Sequence, residues 1–268
     1  MLVVKIGGAA GVDREPLLDD LATRKDWVLV HGASDGATEL GEKLGTPARF
    51  VTSVSGHVSR LTDPATLEAF AMASARLNLR LVEGLQRRRV NAIGLTGVGG
   101  RLLEAQRKDA IKVVEPDGRR RVLRGDFTGT VEKVNTGLLR SLLDQGYAPV
   151  IGLPALATDG NAVNADADRA AAVVAARMPA DVLVILSNVP GLLRDVNDPG
   201  SLVRWVTMAE WDKAEVLAEG RFKKKMLAAR EALDAGVPRV ILASANKPQP
   251  LASALNGEGT VIEGRAGA

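Results

Sequence analysis

Six short apolar runs, each ending in glycine or another small residue or followed by one within two positions, constrain this chain more than any other feature. They are Leu2–Ile6, Trp27–Val30, Asn91–Leu95, Ala148–Gly152, Asp181–Leu186 and Arg239–Ala243. Continuous valine, isoleucine and leucine, without polar alternation, predict strands buried on both faces of a parallel sheet. Helical patterns fill the intervals: Glu15–Thr23, Gly36–Leu44, Pro64–Gln86, Val134–Gln145, Asp168–Arg177 and Lys223–Ala235. Gly45, Gly146 and Gly236 stop three of them, as glycine often does. The alternation predicts an α/β fold, a three-layer αβα sandwich around a mostly parallel central sheet. A β-hairpin insertion interrupts it, with Ala110–Glu115 and Arg121–Arg124 flanking the turn signal Pro116-Asp117-Gly118. No linker or low-complexity stretch separates the halves. A division into lobes, expected at 1–160 and 161–268, must therefore run through a shared sheet.

Composition removes several classes of function. Without cysteine there is no disulfide and no thiolate metal site. Two histidines, His31 and His57, argue against a histidine-rich metal centre. The N-terminus runs directly into a strand without the pattern of a signal peptide, and no apolar run is long enough to span a membrane. The expected location is the cytoplasm, with no membrane partner. Net charge is only +3, yet Arg80 to Arg124 holds twelve Arg or Lys against five Asp or Glu. Such a patch suits an acidic partner or is ordinary solvated arginine. Aromatics are 3% and none interleave with the arginines, which argues against nucleic acid as the partner.

In an open parallel sheet, ligands bind beyond the carboxyl ends of the strands. Three small-residue turns sit there: Gly7-Gly8, His31-Gly32-Ala33-Ser34 and Ser187-Asn188-Val189-Pro190-Gly191. Each alone reads as a tight turn as readily as a phosphate cradle, and neither common nucleotide-binding glycine motif is present. Lys5 carries more information, because a lysine at the end of an apolar strand either snorkels out or meets an anion. Asp168 either caps its helix or meets a cation. Lys225, in Gly220-Arg221-Phe222-Lys223-Lys224-Lys225, lies either on a solvated face or in a site. Together, two cations, bare backbone amides and one organising carboxylate are what phosphoryl transfer needs.

The order of these motifs resembles the amino acid kinase family, and most closely its acetylglutamate kinase branch, over nearly the whole chain. The resemblance rests on Lys5-Ile6-Gly7-Gly8, His31-Gly32, Ser59-Arg60-Leu61-Thr62, Asn164-Ala165-Asp166-Ala167-Asp168, Leu186 to Leu192, Gly220 to Lys225, and Gly257 to Ile262. The chain departs from that branch at Ala33-Ser34, Asp166 and Lys223-Lys224, while Arg221-Phe222-Lys223-Lys224-Lys225 and Val58-Ser59-Arg60-Leu61-Thr62-Asp63 look like a sister branch. That branch phosphorylates α-aminoadipate held on a small acidic amino-group carrier protein. The resemblance implies ATP with Mg2+ held mainly through the phosphates, and no dedicated protein ligand for the metal. It implies catalytic roles for Lys5, Lys225, Asp168 and Gly8. Gly32, Ala33, Ser34, Arg60 and Asn164 are expected to bind the acyl substrate. Gly7, Ser187, Asn188, Val189, Gly191, Leu192, Gly220 and Phe222 are expected around the nucleotide. It further implies a homodimer paired through the Pro64–Gln86 helix, acyl-substrate binding in 1–160 and ATP binding in 161–268. His31 is expected to shape its turn. Carrier-linked glutamate or N-acetylglutamate is the alternative substrate, and a ligand sensor the non-enzymatic alternative.

Overall fold

The computed structural model describes residues 1–54, 56, 58–108, 110–115 and 117–264, so His57 and the predicted turn residue Pro116 lie outside them. The strand Leu2–Ile6 sits at the centre of an eight-stranded sheet, pairing in parallel with Trp27–His31 on one side and Val182–Ser187 on the other. Ala148–Gly152 and Ala92–Thr96 extend the first side. Arg239–Ser244, Thr260–Glu263 and Trp205–Thr207 extend the second, and only the Arg239–Ser244/Thr260–Glu263 pair is antiparallel. All six predicted runs are therefore strands of one sheet, each displaced by at most one residue at an end.

The burial of this sheet explains its sequence. Along the first strand Val3 faces one apolar layer, while Val4 and Ile6 face the other, and all three are fully buried. Each such side chain contributes about 1.5–3 kcal/mol by leaving water. Helices cover both faces, including Glu15–Ala22, Pro64–Arg87, Ala167–Arg177 and Phe222–Asp234. The period of two puts Lys5 on the Val3 face, the side taken by Ala170, Ala171 and Val174 of the Ala167–Arg177 helix. That placement brings the lysine to this helix's first turn.

Two smaller sheets rise from the strand ends. Ala110–Val114 and Arg120–Arg124 form the expected hairpin. It joins Arg49–Ser53 and Val58–Leu61 in a four-stranded sheet. Leu103–Arg107, Thr128–Val134, Ala155–Ala157 and Ala162–Ala165 close into a small barrel that the sequence reading did not foresee. No helix among the described residues is long and apolar enough to cross a membrane.

Candidate active site

Lys5, Asp168 and Lys225 meet at the carboxyl end of the central strand. Lys225 Nζ donates to Asp168 Oδ2 at 2.9 Å. Lys5 Nζ lies 2.5 Å from Asp168 Oδ1, a charge contact without a hydrogen-bond angle. Lys5 is 4% exposed and Asp168 7%, so water screens the group little. Asp168 is free for this work because Asp166 caps the helix instead, accepting from the N–H groups of Asp168 at 3.0 Å and Arg169 at 3.1 Å. Next to it, Arg169 forks onto Glu231 at 2.8 and 2.6 Å, locking the Asp168 helix to the Lys225 helix. Burial pushes the Lys5 ammonium below its ordinary value and Lys225 adds repulsion, while Asp168 opposes both. Burial disfavours an ionised Asp168 too, but Lys225 and Lys5 overcome it and hold the carboxyl well below the usual range.

The triad opens onto a cavity of about 380 Å³. Of the sequence-predicted residues, Gly7, Gly8, Gly32, Ala33, Ser34, Arg60, Asn164, Ser187 and Asn188 also line it. The helices Ser34–Lys43, Ala167–Arg177 and Phe222–Asp234 begin beside it, so their positive dipole ends add to the field. Among the described residues seven cationic side chains line it against three carboxylates. Arg60 is held by the Ser34 carbonyl and the Thr38 hydroxyl, both at 2.8 Å, and stacks 4.9 Å from the centre of the Phe50 ring. No group of three or more His, Asp or Glu among the described residues is placed to hold a metal ion. Both Asp168 oxygens are already committed to ammonium groups.

Val189, Gly191, Leu192, Gly220 and Phe222 do not line this cavity. Leu192 is buried, its N–H donating to Thr260 Oγ1 at 2.8 Å, and Gly191 packs beside the same threonine. Val189 is half-exposed, Gly220 is exposed, and Phe222 leans on the core beneath its helix. Sequence reasoning missed Lys224, Lys108 and Asp126. Lys224 bonds Ser59 Oγ at 3.1 Å and lies 3.6 Å from Asp166. Its adjacency to Lys225 was a signal, whereas nothing local marked Asp126.

Two predictions arise from this geometry. A Cβ on Gly8 would lie 2.2 Å from the Gly32 carbonyl oxygen and 2.5 Å from the Ala33 nitrogen, where only backbone could yield. Gly8→Ala is therefore expected to push the two loops apart, lowering kcat about a hundredfold and stability by about 1–3 kcal/mol. Steady-state kinetics and a melting curve check this; wild-type values in both would contradict it. His31 is fully buried, with Asn78 Nδ2 3.1 Å from its Nε2. Burial, then Arg14 and Lys5, push its pKa down to about 3, so it is neutral at pH 7. Its ring resonances are expected to stay put between about pH 5 and 8, and an NMR titration near the ordinary value of about 6.5 would contradict this.

An open parallel sheet with glycine turns, helix N-termini and paired ammonium groups on one cavity defines a protein built to receive anions at its strand ends. The chain belongs to the amino acid kinase family, whose model matches residues 1–244, and this places it among ATP-using phosphotransferases. Similar proteins include the LysW-aminoadipate kinases of Deinococcus radiodurans and Thermus thermophilus. The first is 49% identical over 98% of this chain and 91% of its own length, the second 48% over 98% and 100%. A LysW-aminoadipate/LysW-glutamate kinase of Saccharolobus islandicus is 36% identical over 98% of this chain and 99% of its own. Among solved structures, N-acetylglutamate synthase of Neisseria gonorrhoeae superposes with a TM-score of 0.80 at 24% identity, covering 99% of this chain and 60% of that one. Carbamate kinase of Giardia superposes at 0.68 and 17%, covering 98% of each chain, and shares the fold.

Proposed function

We propose that this protein phosphorylates the side-chain carboxylate of α-aminoadipate carried on a small acidic amino-group carrier protein, in lysine biosynthesis. The carrier is the LysW of the relatives' names. The observation that carries the reading is the Lys5–Asp168–Lys225 bridge at the strand ends, and near-half identity to two LysW-aminoadipate kinases supports the substrate. Carrier-linked glutamate is the second reading, supported by the double name of the Saccharolobus relative.

In this reading a carboxylate oxygen attacks the γ-phosphorus of ATP, the bond to the β-phosphate oxygen breaks, and an acyl phosphate and ADP form. A carboxylate with a pKa of about 4.3 is ionised at neutral pH, so no general base is required. The obstacle is repulsion between anions, worth roughly 4 kcal/mol per charge pair at about 4 Å and an effective dielectric near 20. Lys5 offsets it from the nucleophile side and Lys225 from the leaving-group side, while Asp168 holds both ammonium groups in place. The Gly8 N–H donates to the transferring phosphoryl oxygens. Arg60 binds the substrate's α-carboxylate or its equivalent, and Asn164 with Gly32-Ala33-Ser34 holds the acylated amino end. A magnesium ion brought by the nucleotide would be held by phosphate oxygens and water rather than by a protein carboxylate, and would supply further neutralisation of phosphate charge. Residues 1–160 then serve the acyl substrate and 161–268 the nucleotide, whose adenine and ribose lie along Asn188–Leu193 and Leu217–Phe222. Exposed Met72 and Leu79 support pairing of two copies through the Pro64–Arg87 helix.

A coupled ADP-release assay tests the substrate. Carrier-linked aminoadipate is expected to exceed free N-acetylglutamate in kcat/KM by about a hundredfold, equivalent to roughly 2.8 kcal/mol of added contact with the carrier. Efficient use of free N-acetylglutamate would overturn the carrier assignment.

A further inference from the structure

We infer that Thr62 is a positioning residue that sets which way round the Asn164 amide sits, and so makes the site accept an N–H from the substrate's acylated amino group. The inference rests on reading this cavity as the acyl-substrate site. Thr62 is fully buried and does not line the cavity, whereas Asn164 does. The Thr62 hydroxyl donates to the Arg60 carbonyl at 3.2 Å. Its single hydrogen is thereby used, and only lone pairs remain for Asn164. Asn164 must meet it with a donor, and Nδ2 does so at 3.1 Å. With the nitrogen committed to Thr62, the acceptor Oδ1 is left for the ligand. The opposite orientation would set Oδ1 against Thr62 Oγ1 and would need the hydroxyl hydrogen withdrawn from Arg60.

The backbone around this pair is held tightly. The Thr62 N–H donates to Asp126 Oδ1 at 2.7 Å, and the Phe127 N–H donates to the Thr62 carbonyl at 2.7 Å. The Asn164 N–H donates to the Phe127 carbonyl at 2.8 Å. Asp126 Oδ2 in turn accepts from the N–H and hydroxyl of Thr128. Thus the segment bearing Arg60 and the strand bearing Asn164 are tied through one buried carboxylate and one buried hydroxyl. The substrate class that fits is an N-acylated amino acid. Its neutral amide N–H suits a fixed acceptor, whereas a free α-ammonium would enter a cavity with seven cationic side chains and three carboxylates.

Thr62→Val removes the hydroxyl at constant shape, and Thr62→Ser keeps the hydroxyl but loses the methyl group. With carrier-linked aminoadipate, Thr62→Val is expected to raise the acyl-substrate KM about tenfold and leave the KM for ATP unchanged, while Thr62→Ser stays within about twofold of wild type. An acyl-substrate KM within about twofold of wild type in Thr62→Val, an equal rise in the KM for ATP, or a Thr62→Ser as impaired as Thr62→Val would each overturn the inference. Should Thr62→Val fail to fold, Asn164→Asp cannot donate to the hydroxyl yet keeps an acceptor. It is expected to raise the same KM at least about tenfold, and a wild-type KM there overturns the inference too. If wild type uses only free N-acetylglutamate, the carrier assignment falls, but that substrate is also N-acylated and the same series still decides the role of Thr62. Turnover of neither substrate overturns both.

Discussion

Lys5→Ala and Lys225→Ala are each expected to lower kcat about a thousandfold, with the fold intact. Removing one preorganised donor from a developing negative charge typically costs 10²–10³-fold, or up to about 4 kcal/mol. The upper end applies here, because Lys5 is buried, the Lys225 side chain is only 13% exposed, and no other ammonium contacts Asp168 among the described residues. Stability should change little, since each deletion leaves Asp168 one ammonium partner. ADP release and circular dichroism check both halves. A folded variant with kcat within about tenfold of wild type would remove that lysine from the mechanism.

The second large effect is expected from Asp168→Asn, which leaves the buried Lys5 and the largely covered Lys225 without their counter-charge. Breaking a buried ionic group from one side costs about 3–5 kcal/mol. Turnover should fall at least about a thousandfold, because Lys5 and Lys225 now repel where they must converge. The pH dependence gives a signature. Burial already lowers the Lys5 pKa, with Asp168 the main opposing influence. Without Asp168 that pKa falls further, so residual activity should decline as pH rises, at a lower pH than in wild type. Stability has its own sign. The folded-state pKa of Asp168 is depressed, so its stabilising contribution is fully present above the unfolded value of about 3.9 and is lost as pH falls toward the folded one. The Asn variant should therefore show a flatter stability curve below about pH 4 than wild type. Identical acid limbs, or an unshifted pH–rate profile, would contradict this account of Asp168.

The central sheet was legible because its strands are continuous apolar runs that need burial on both faces, as in Val182–Ser187, buried at every residue. The smaller sheets were legible only at the Ala110–Val114/Arg120–Arg124 hairpin, which its turn residues marked. Arg49–Ser53 is mostly exposed and polar, and Ala155–Ala157 is three residues long. Their strand character comes from partners distant in sequence, not from local pattern. The Lys5–Asp168–Lys225 cluster was legible through one anomaly, a lysine closing an apolar strand, which had to find an anion once buried. The network through Thr62 was not, since Thr62 reaches Asp126 across 64 positions and Asn164 across 102. The run Asn188 to Leu192 divides for the same reason. Asn188 reaches the cavity, while the Leu192 backbone turns inward to Thr260, 68 residues away.

For Lys5 and Lys225 to act as proposed, both ammonium groups must reach the phosphoryl group while it is in transit. A crystal structure with ADP, a planar metal-fluoride mimic of that group and the carboxylate substrate tests this directly. Both Nζ atoms are expected within about 3 Å of the mimic's ligand atoms, with Asp168 still bridging them. Either lysine lying beyond about 5 Å, with water or another side chain in its place, would contradict it.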